Sequence, residues 1–538
     1  MKKTDFLSAF SSDIGVVLQS ELAADTAQNM DHGETLTGTA DGELITGTST
    51  DDEIDGGAGN DTLLGGSGSD VLDGGSGDDF IFGTGEDASD TGVDTLNGGS
   101  GDDTLLGGSG ASTFSGGSGN DQITSLSGAD DISGGIGHDS IFSGEGNDRV
   151  FGNSGDDFIN GGAGNDYLSG HTGADTIFGG LGRDSIRGGS GNDSLIGQGG
   201  NDIIDAHDGD DFVQGDIGED SLDGGAGNDT LDGGIGHDSI LGGAGDDEIS
   251  AGRGNDTVFA GEGNDTISSW GFGSTPIGAN YIDGGAGDDD IEGASGNDTL
   301  IGGAGNDTIN ARSGVNDVSG GDGNDYAYTS GDGSTIRGDD GDDTISATYV
   351  DDTRLYGGTG DDVIVFSGNN TIAYGGEGND HITIGGYYYA NETTGEARGG
   401  AGDDLIEGSW LDDVIYGGTG NDSVDAGQGD DSIFSFGGNN VLDGGAGADT
   451  FYFGGAAGVS TIVDFDAEED SLVFDADGSD SADDYEQLSA SLAQQVGTDV
   501  YIYASVPVSE GSSTMVPHVI ILQEVTLADL TANDILLS

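Results

Sequence analysis

"GGAGNDTLL" stands at 56–64, and it returns almost unchanged as "GGAGNDTLD" at 224–232 and "GGAGNDTIN" at 302–310. Set out in nines from this phrase, 98–268 holds nineteen units without one insertion or deletion. The same frame gives five units at 38–82, seven at 284–346, four at 348–383 and six at 399–452, 41 in all. Three stretches of fifteen residues interrupt it, at 83–97, 269–283 and 384–398, with one extra residue at Ala347. Self-similarity at a fixed short period marks a repeat architecture rather than a string of ordinary domains.

Within the unit, the eighth position is apolar in all 41 copies, from Leu63, Leu72 and Ile81 to Phe451, so one side chain per nine residues points inward. The sixth position is Asp in 34 copies; the exceptions are Glu43, Ser112, Asn316, Ser334, Thr353, Thr371 and Asn440. Glycines crowd positions one, two and four, where a tight turn needs backbone angles that a side chain forbids. A helix is excluded, because each of three glycines per unit would cost about 1 kcal/mol relative to alanine. Positions seven to nine read instead as very short strands separated by six-residue turns. Two units, eighteen residues, make one coil with a strand on each side, and stacked coils form two parallel sheets.

Composition sets the partners. Acidic residues number 103 against 10 basic ones, for a formal net charge of -93 in 538 residues. Nothing here neutralises phosphates, so nucleic acid is excluded as a partner. An anionic membrane repels such a chain and cations are drawn to it. The absence of cysteine excludes disulfides and thiolate metal sites. No apolar run approaches the length of about eighteen residues that a membrane span needs; the longest, "HVIILQEV" at 518–525, is far shorter. At 1–20, Ser11, Ser12 and Asp13 interrupt the apolar stretch, so no cleaved N-terminal export signal is expected.

A roll of this composition needs a metal. One buried aliphatic side chain per nine residues is a thin core, and the glycines lose the most conformational freedom on folding. Stacking also places equivalent aspartates one coil apart, near 5 Å, where two unit charges repel by about 3 kcal/mol at an effective dielectric of about 20. A divalent hard cation between stacked turns reverses that sign. Calcium suits the oxygen-only donor set and its forgiving geometry; magnesium demands a tighter octahedron and releases water reluctantly.

"GGAGNDTLL", "GGSGNDSLI" and "GGAGDDEIS" resemble the repeats-in-toxin (RTX) nonapeptide G-G-x-G-x-D-x-U-x, a calcium-binding repeat. The resemblance implies an all-β fold, a right-handed parallel β-roll or β-helix solenoid over 38–452, with many Ca2+ ions held between turns one coil apart. Carried over residue by residue, it implies ligand carboxylates at Asp52, Asp61, Asp70, Asp79, Asp103, Asp121, Asp130, Asp139, Asp148, Asp157, Asp166, Asp175, Asp184, Asp193, Asp202, Asp211 and Asp220. It implies the same for Asp229, Asp238, Asp247, Asp256, Asp265, Asp289, Asp298, Asp307, Asp325, Asp343, Asp362, Asp380, Asp404, Asp413, Asp422, Asp431 and Asp449. Partners lie one coil apart, as Asp61 with Asp79, Asp121 with Asp139 and Asp130 with Asp148.

The exceptions at position six cluster. Asn316, Ser334, Thr353 and Thr371 fall on one edge of the roll, while the opposite edge keeps Asp307, Asp325, Asp343, Asp362 and Asp380. The first edge is expected to lack calcium over about four coils and to be held by neutral hydrogen bonds. Loop aromatics at Trp270, Phe272 and Tyr387 to Tyr389 offer a surface for sugar rings. His138 and His237 sit at a turn position with no second histidine in the unit, which argues against zinc or catalysis.

The ends differ from the roll. Residues 1–37 read as a cap or a single amphipathic helix with Phe6, Phe10 and Ile14 on one face. From 453 glycine thins and longer apolar strands appear, suited to covering the open end of a solenoid. "TIVDFDAEEDSLVF" (461–474) and "VTLADLTANDILLS" (525–538) resemble the C-terminal region of RTX proteins exported by type I secretion, which implies that machinery as a partner and an extracellular location. No H-E-x-x-H and no G-x-S-x-G is present, so no catalytic residues are expected. The reading is a secreted, non-enzymatic calcium-binding protein of a surface layer, matrix or adhesin, with possible self-association. The alternatives are a polysaccharide-binding module or a polysaccharide-modifying enzyme built on the roll.

Overall fold

The structure is a computed structural model that describes residues 35–84, 91–269, 278–385, 394–454, 457–474, 493–507, 515–528, 530, 535 and 536. Every regular element among them is a β-strand. The chain divides into two compact units, Met1–Ser221 and Leu222–Ser538. The expected helix within 1–37 and the aromatics Trp270, Phe272 and Tyr387 to Tyr389 lie outside the described residues.

In the first unit, successive strands alternate between two parallel sheets. One stacks Leu44–Thr46, Thr62–Gly66, Phe80–Thr84, Thr104–Leu106, Gln122–Thr124, Ser140–Phe142, Phe158–Ala163, Thr176–Leu181, Ser194–Gly199 and Phe212–Ile217. The other runs from Thr35–Thr37 through Glu53–Asp55 and Val71–Ser76 to Ile203–Asp208. The register follows the sequence period: Ile123 pairs with Ile141 and Ile141 with Ile159. Because side chains alternate along a strand, position eight points inward from both sheets. Leu63, Ile123, Ile159 and Ile177 are fully buried there.

The second unit repeats the plan. One sheet stacks Thr230–Asp232, Glu248–Ser250, Thr266–Ser268 and Asp290–Glu292 in parallel, and the other Ser239–Ala244, Thr257–Glu262, Tyr281–Ala286 and Thr299–Ala304. Beyond the nonapeptides, Val441–Asp443 pairs with Gly458–Ile462, which pairs in parallel with Met515–Leu522. From there the pairing turns antiparallel, through Asp499–Pro507 to Ala493–Val496.

The pairing corrects the three interruptions. Asp70 and Asp94 meet 24 residues apart rather than 18, as do Asp256 with Asn280 and Asp380 with Asp404. Each fifteen-residue stretch is therefore one further nonapeptide plus six inserted residues. Leu96, Ile282 and Ala397 are its buried position-eight residues. The extra residue assigned to Ala347 belongs to the following turn: Ala347 pairs in register with Thr329, while Asp351 meets Asp332 at a separation of 19. Exposed Tyr349, at φ 64, lies between them.

Position two takes a positive φ, which glycine adopts most readily and which Asn153, His171 and Gln198 adopt in its place at φ 79, 79 and 74. Gly75 has φ 96, and a Cβ on it would strike the carbonyl oxygen of Gly57, one coil earlier.

The core predicts its own sensitivity. Ile177→Ala removes the one inward side chain of its unit and is expected to cost about 2–4 kcal/mol, read from the urea midpoint in saturating calcium. Ser185→Ala, outward on a strand of the first unit, should change the midpoint by less than about 0.5 kcal/mol.

Candidate metal centre

All 34 aspartates expected as ligands are buried, none more than 4% exposed. Each row is wired coil to coil. The Asp61 amide donates to Asp79 Oδ1 at 2.7 Å, Asp121 to Asp139 Oδ1 at 2.8 Å, and Asp247 to Asp265 Oδ1 at 2.8 Å. One carboxylate oxygen is thereby used. The other, Oδ2, is buried with no hydrogen-bond partner in Asp61, Asp79, Asp121, Asp157, Asp193, Asp265, Asp307 and Asp362, among others.

Position-one glycine creates this arrangement. A Cβ on Gly56 would lie 2.7 Å from the Gly74 carbonyl oxygen and 2.8 Å from Asp61 Oδ2. A Cβ on Gly161 would lie 2.7 Å from both the Gly179 carbonyl oxygen and Asp166 Oδ2. Without a side chain, a carboxylate oxygen and the next coil's carbonyl oxygen converge on one spot. A buried, unpartnered carboxylate oxygen is costly and calls for a cation or a proton. Among the described residues no three His, Asp or Glu side chains gather as a metal cluster, so a cation here would draw most of its oxygens from turn carbonyls.

A second ladder runs the other way at position five. The Asp78 amide donates to Asn60 Oδ1 at 3.0 Å and the Asn120 amide to Asp102 Oδ1 at 2.7 Å, each reaching back one coil. His138 and His237 serve this ladder through Nδ1, which accepts the amides of Asp156 and Asn255 at 2.8 Å. The recurring Asn-Asp and Asp-Asp pairs thus have two distinct roles. The first of them was not read from the sequence, although its short acceptor side chains were visible there.

Some turns are closed by the protein's own donors. Oδ2 accepts Ser125 Oγ at 2.6 Å in Asp130, the Ala294 amide at 3.0 Å in Asp298, and the Ser409 amide at 2.7 Å in Asp413. In Asp52 it accepts the Thr48 amide at 2.6 Å. Where Asp is replaced, the neutral side chain donates to a turn carbonyl instead. Asn316 Nδ2 reaches Ala311 O at 2.9 Å, Ser334 Oγ reaches Gly331 O at 2.8 Å, and Thr371 Oγ1 reaches Val350 O at 2.8 Å. Thr353 Oγ1 reaches Asp351 O at 3.1 Å. Gly395, the position-six residue hidden in the third interruption, follows Thr371 on this edge. From Asp298 to Asp413 the edge consists of donor-closed or side-chain-free turns.

Two carboxylates outside the expected set join the rows. Asp94 Oδ1 accepts the Asp70 amide at 3.0 Å. Asp470 Oδ1 accepts the Asp449 amide at 3.0 Å, its Oδ2 accepts the Asp466 amide at 2.7 Å, and its own amide donates to Asp466 O at 2.8 Å. Both stand two residues before a buried leucine, Leu96 or Leu472, which is the signal that could have found them.

Matches to the RTX calcium-binding nonapeptide repeat follow one another from 37–72 to 425–458, leaving only 88, 268–276 and 349–394 uncovered between 37 and 458. The chain belongs to this family. RTX membership brings calcium as the ion that the buried oxygens fit. No curated protein is similar to the chain. Among solved structures, the extracellular lipase LipA from Serratia marcescens is similar at 16% identity with a TM-score of 0.20, over 53% of this chain and 45% of that one. The chain thus spans under half of that lipase's length, and this likeness carries no argument about activity.

The RTX rows titrate unusually. Burial raises Asp70 to about 7, with the charges of Asp94 and Asp52 adding to it. Burial likewise raises Asp103 and Asp247 to about 7 and Asp431 to about 8. The unfolded value is near 4. A metal-free folded roll therefore binds more protons than the unfolded chain. Its proton-linked stability is fully present below about pH 4 and is lost as pH rises through about 6 to 8. With divalent ions chelated, sheet content by circular dichroism should rise as the pH is lowered from about 8 towards about 4. In excess calcium the pH dependence over this range should largely vanish.

Proposed function

We propose that this chain is a secreted, non-enzymatic calcium-binding structural protein that stays unfolded where calcium is scarce and folds outside the cell. The observation that carries this reading is the pair of rows of buried Oδ2 atoms without partners, each beside a carbonyl oxygen of the next coil. When bound, calcium supplies the positive charge that these oxygens lack. Asp61, Asp79, Asp121, Asp139, Asp193, Asp247 and their equivalents would hold it, and the turns closed by Ser125, Ala294 and Ser409 would not. Ions that bind the folded form alone shift the equilibrium by linkage, so the gradient from cytosol to exterior would drive folding. An unfolded polymer suits passage through a type I channel, and residues 453–538 would serve as end cap and export signal.

A surface-layer, matrix or adhesin role fits a chain whose described residues form coils and little else. The polysaccharide alternative gains little from the described aromatics. Tyr416, Phe434 and Tyr452 stack on one another at centroid distances of 4.3 and 4.2 Å, and Tyr374 and Tyr416 flank the Arg398 guanidinium. The faces of these rings are therefore already taken by one another and by the guanidinium.

Circular dichroism and small-angle scattering test the reading: calcium should convert an expanded coil into a compact, sheet-rich particle, and a chelator should reverse it. A chain that stays compact and sheet-rich at neutral pH after exhaustive chelation refutes it. Paired Asp157→Asn and Asp175→Asn should raise the calcium midpoint for folding. Thr371→Val, on the donor-closed edge, should cost about 1 kcal/mol in saturating calcium and, because that cost is shared over many ions by linkage, should raise the midpoint much less than the paired variant.

A further inference from the structure

The first unit carries a sheet face almost without charge: within its strands only Asp216 is ionisable, and its Oδ1 accepts Gln214 Nε2 at 2.6 Å. Ten strands stack in register from Leu44–Thr46 to Phe212–Ile217, and in each the two residues flanking the buried core residue lie on the outer side of the sheet, Thr124 alone of them being buried there. None of these twenty positions is Asp, Glu, Lys or Arg, in a chain that is 21% charged. The other sheet of the same unit shows Glu53, Asp55, Asp73, Asp131, Arg149 and Arg187 at its outward positions. The short strands of the second unit return to charge, with Asp232, Glu248, Asp290 and Glu292.

The uncharged face is Thr, Ser and Phe in the main. Phe80 is 39% and Phe212 41% exposed, and Phe158 lies between Phe142 and Phe178 at centroid distances of 5.4 and 5.7 Å. Nine spacings of about 4.8 Å make the face about 43 Å long. Ten of the twenty positions are Leu, Ile or Phe, and the rest are neutral Thr, Ser, Asn or Gln, the composition of a surface that can pack against another.

We propose that this face pairs with the same face of a second copy of the chain, giving a two-fold dimer of the calcium-folded roll. Charge selects the occupant. Two copies that each carry a net charge of -93 repel through their acidic turns and through the charged sheet, whereas this face meets its equal with only Asp216, at its end, to bring like charge together. Its size matches, since a standard interface uses about 20–30 residues a side and twenty outward positions are on offer. Two sheets stack face to face at about 10 Å, and a self-complementary patch closes under two-fold symmetry. The proposal rests on the calcium-folded state of the proposed function and adds the contact through which copies associate.

Sedimentation equilibrium of the full chain in millimolar calcium tests it. The wild type should have the mass of a dimer. Phe82→Asp with Phe158→Asp should give a monomer with unchanged sheet content. Thr104→Glu with Ser194→Glu, at outward polar positions, should do the same and guards against misfolding of the first pair. Ser115→Glu with Ser133→Glu, on the other sheet, should remain dimeric. A well-folded wild-type monomer, or a dimer indifferent to both face variants, overturns the proposal and leaves the calcium reading standing. Failure of calcium to fold the chain overturns both. A monomer that dimerises once residues 1–34 are deleted would assign the face to the chain's own terminus. A monomer that binds insoluble polysaccharide only with the face intact would assign it to a glycan; either result overturns the dimer.

Discussion

The structure depends on a half-satisfied carboxylate. At most position-six aspartates, such as Asp79, Asp121 and Asp307, one oxygen is tied to the amide of the preceding coil and the other is buried without a hydrogen-bond partner. The first bond fixes where the aspartate stands, and the second oxygen makes the position untenable at neutral pH without a cation or a proton. Glycine at position one is the geometric condition for this, because any Cβ would occupy the place where oxygens of two coils converge. The repetition of the nonapeptide is thus the repetition of one electrostatic problem with one solution.

Not every turn poses the problem. A backbone amide or hydroxyl at position one or two can turn towards Oδ2 and close it, as at Ala294, Ser409 and Ser125. Where the carboxylate is replaced, Asn, Ser and Thr supply donors and reverse the polarity of the turn. One edge between Asp298 and Asp413 is built in this way while Asp307, Asp325, Asp343, Asp362 and Asp380 line the other. Coils in this region therefore have two edges of different chemistry, one with unpartnered carboxylate oxygens and one self-contained.

Much of this was legible in the sequence. A period of nine with an invariant apolar position fixes strand length, register and inward face, so Leu63, Ile123 and Ile159 could be placed without coordinates. The 34 aspartates were visible for the same reason. The interruptions were misjudged because Gly395 and Ala397 are weak tokens of Asp and Leu, and because six inserted residues shift the frame out of phase. Closure of Asp298 could not be read at all, since the donor is the amide of an alanine. The outer ladder was hidden by variety: Asn60, Asp102 and His138 differ in chemistry yet all offer an acceptor to an amide one coil on.

The turn at Asp470 closes the row in a way that no earlier turn does among the described residues. A coil elsewhere presents a free amide to the carboxylate that follows, and so invites another coil. Here both carboxylate oxygens and the amide are engaged within the same few residues, apart from the one bond back to Asp449. The carboxylate row therefore ends one strand before the sheet does: Leu472 and Val473 still pair in parallel with Ile535 and Leu536, but no further carboxylate is asked to hold that strand in place.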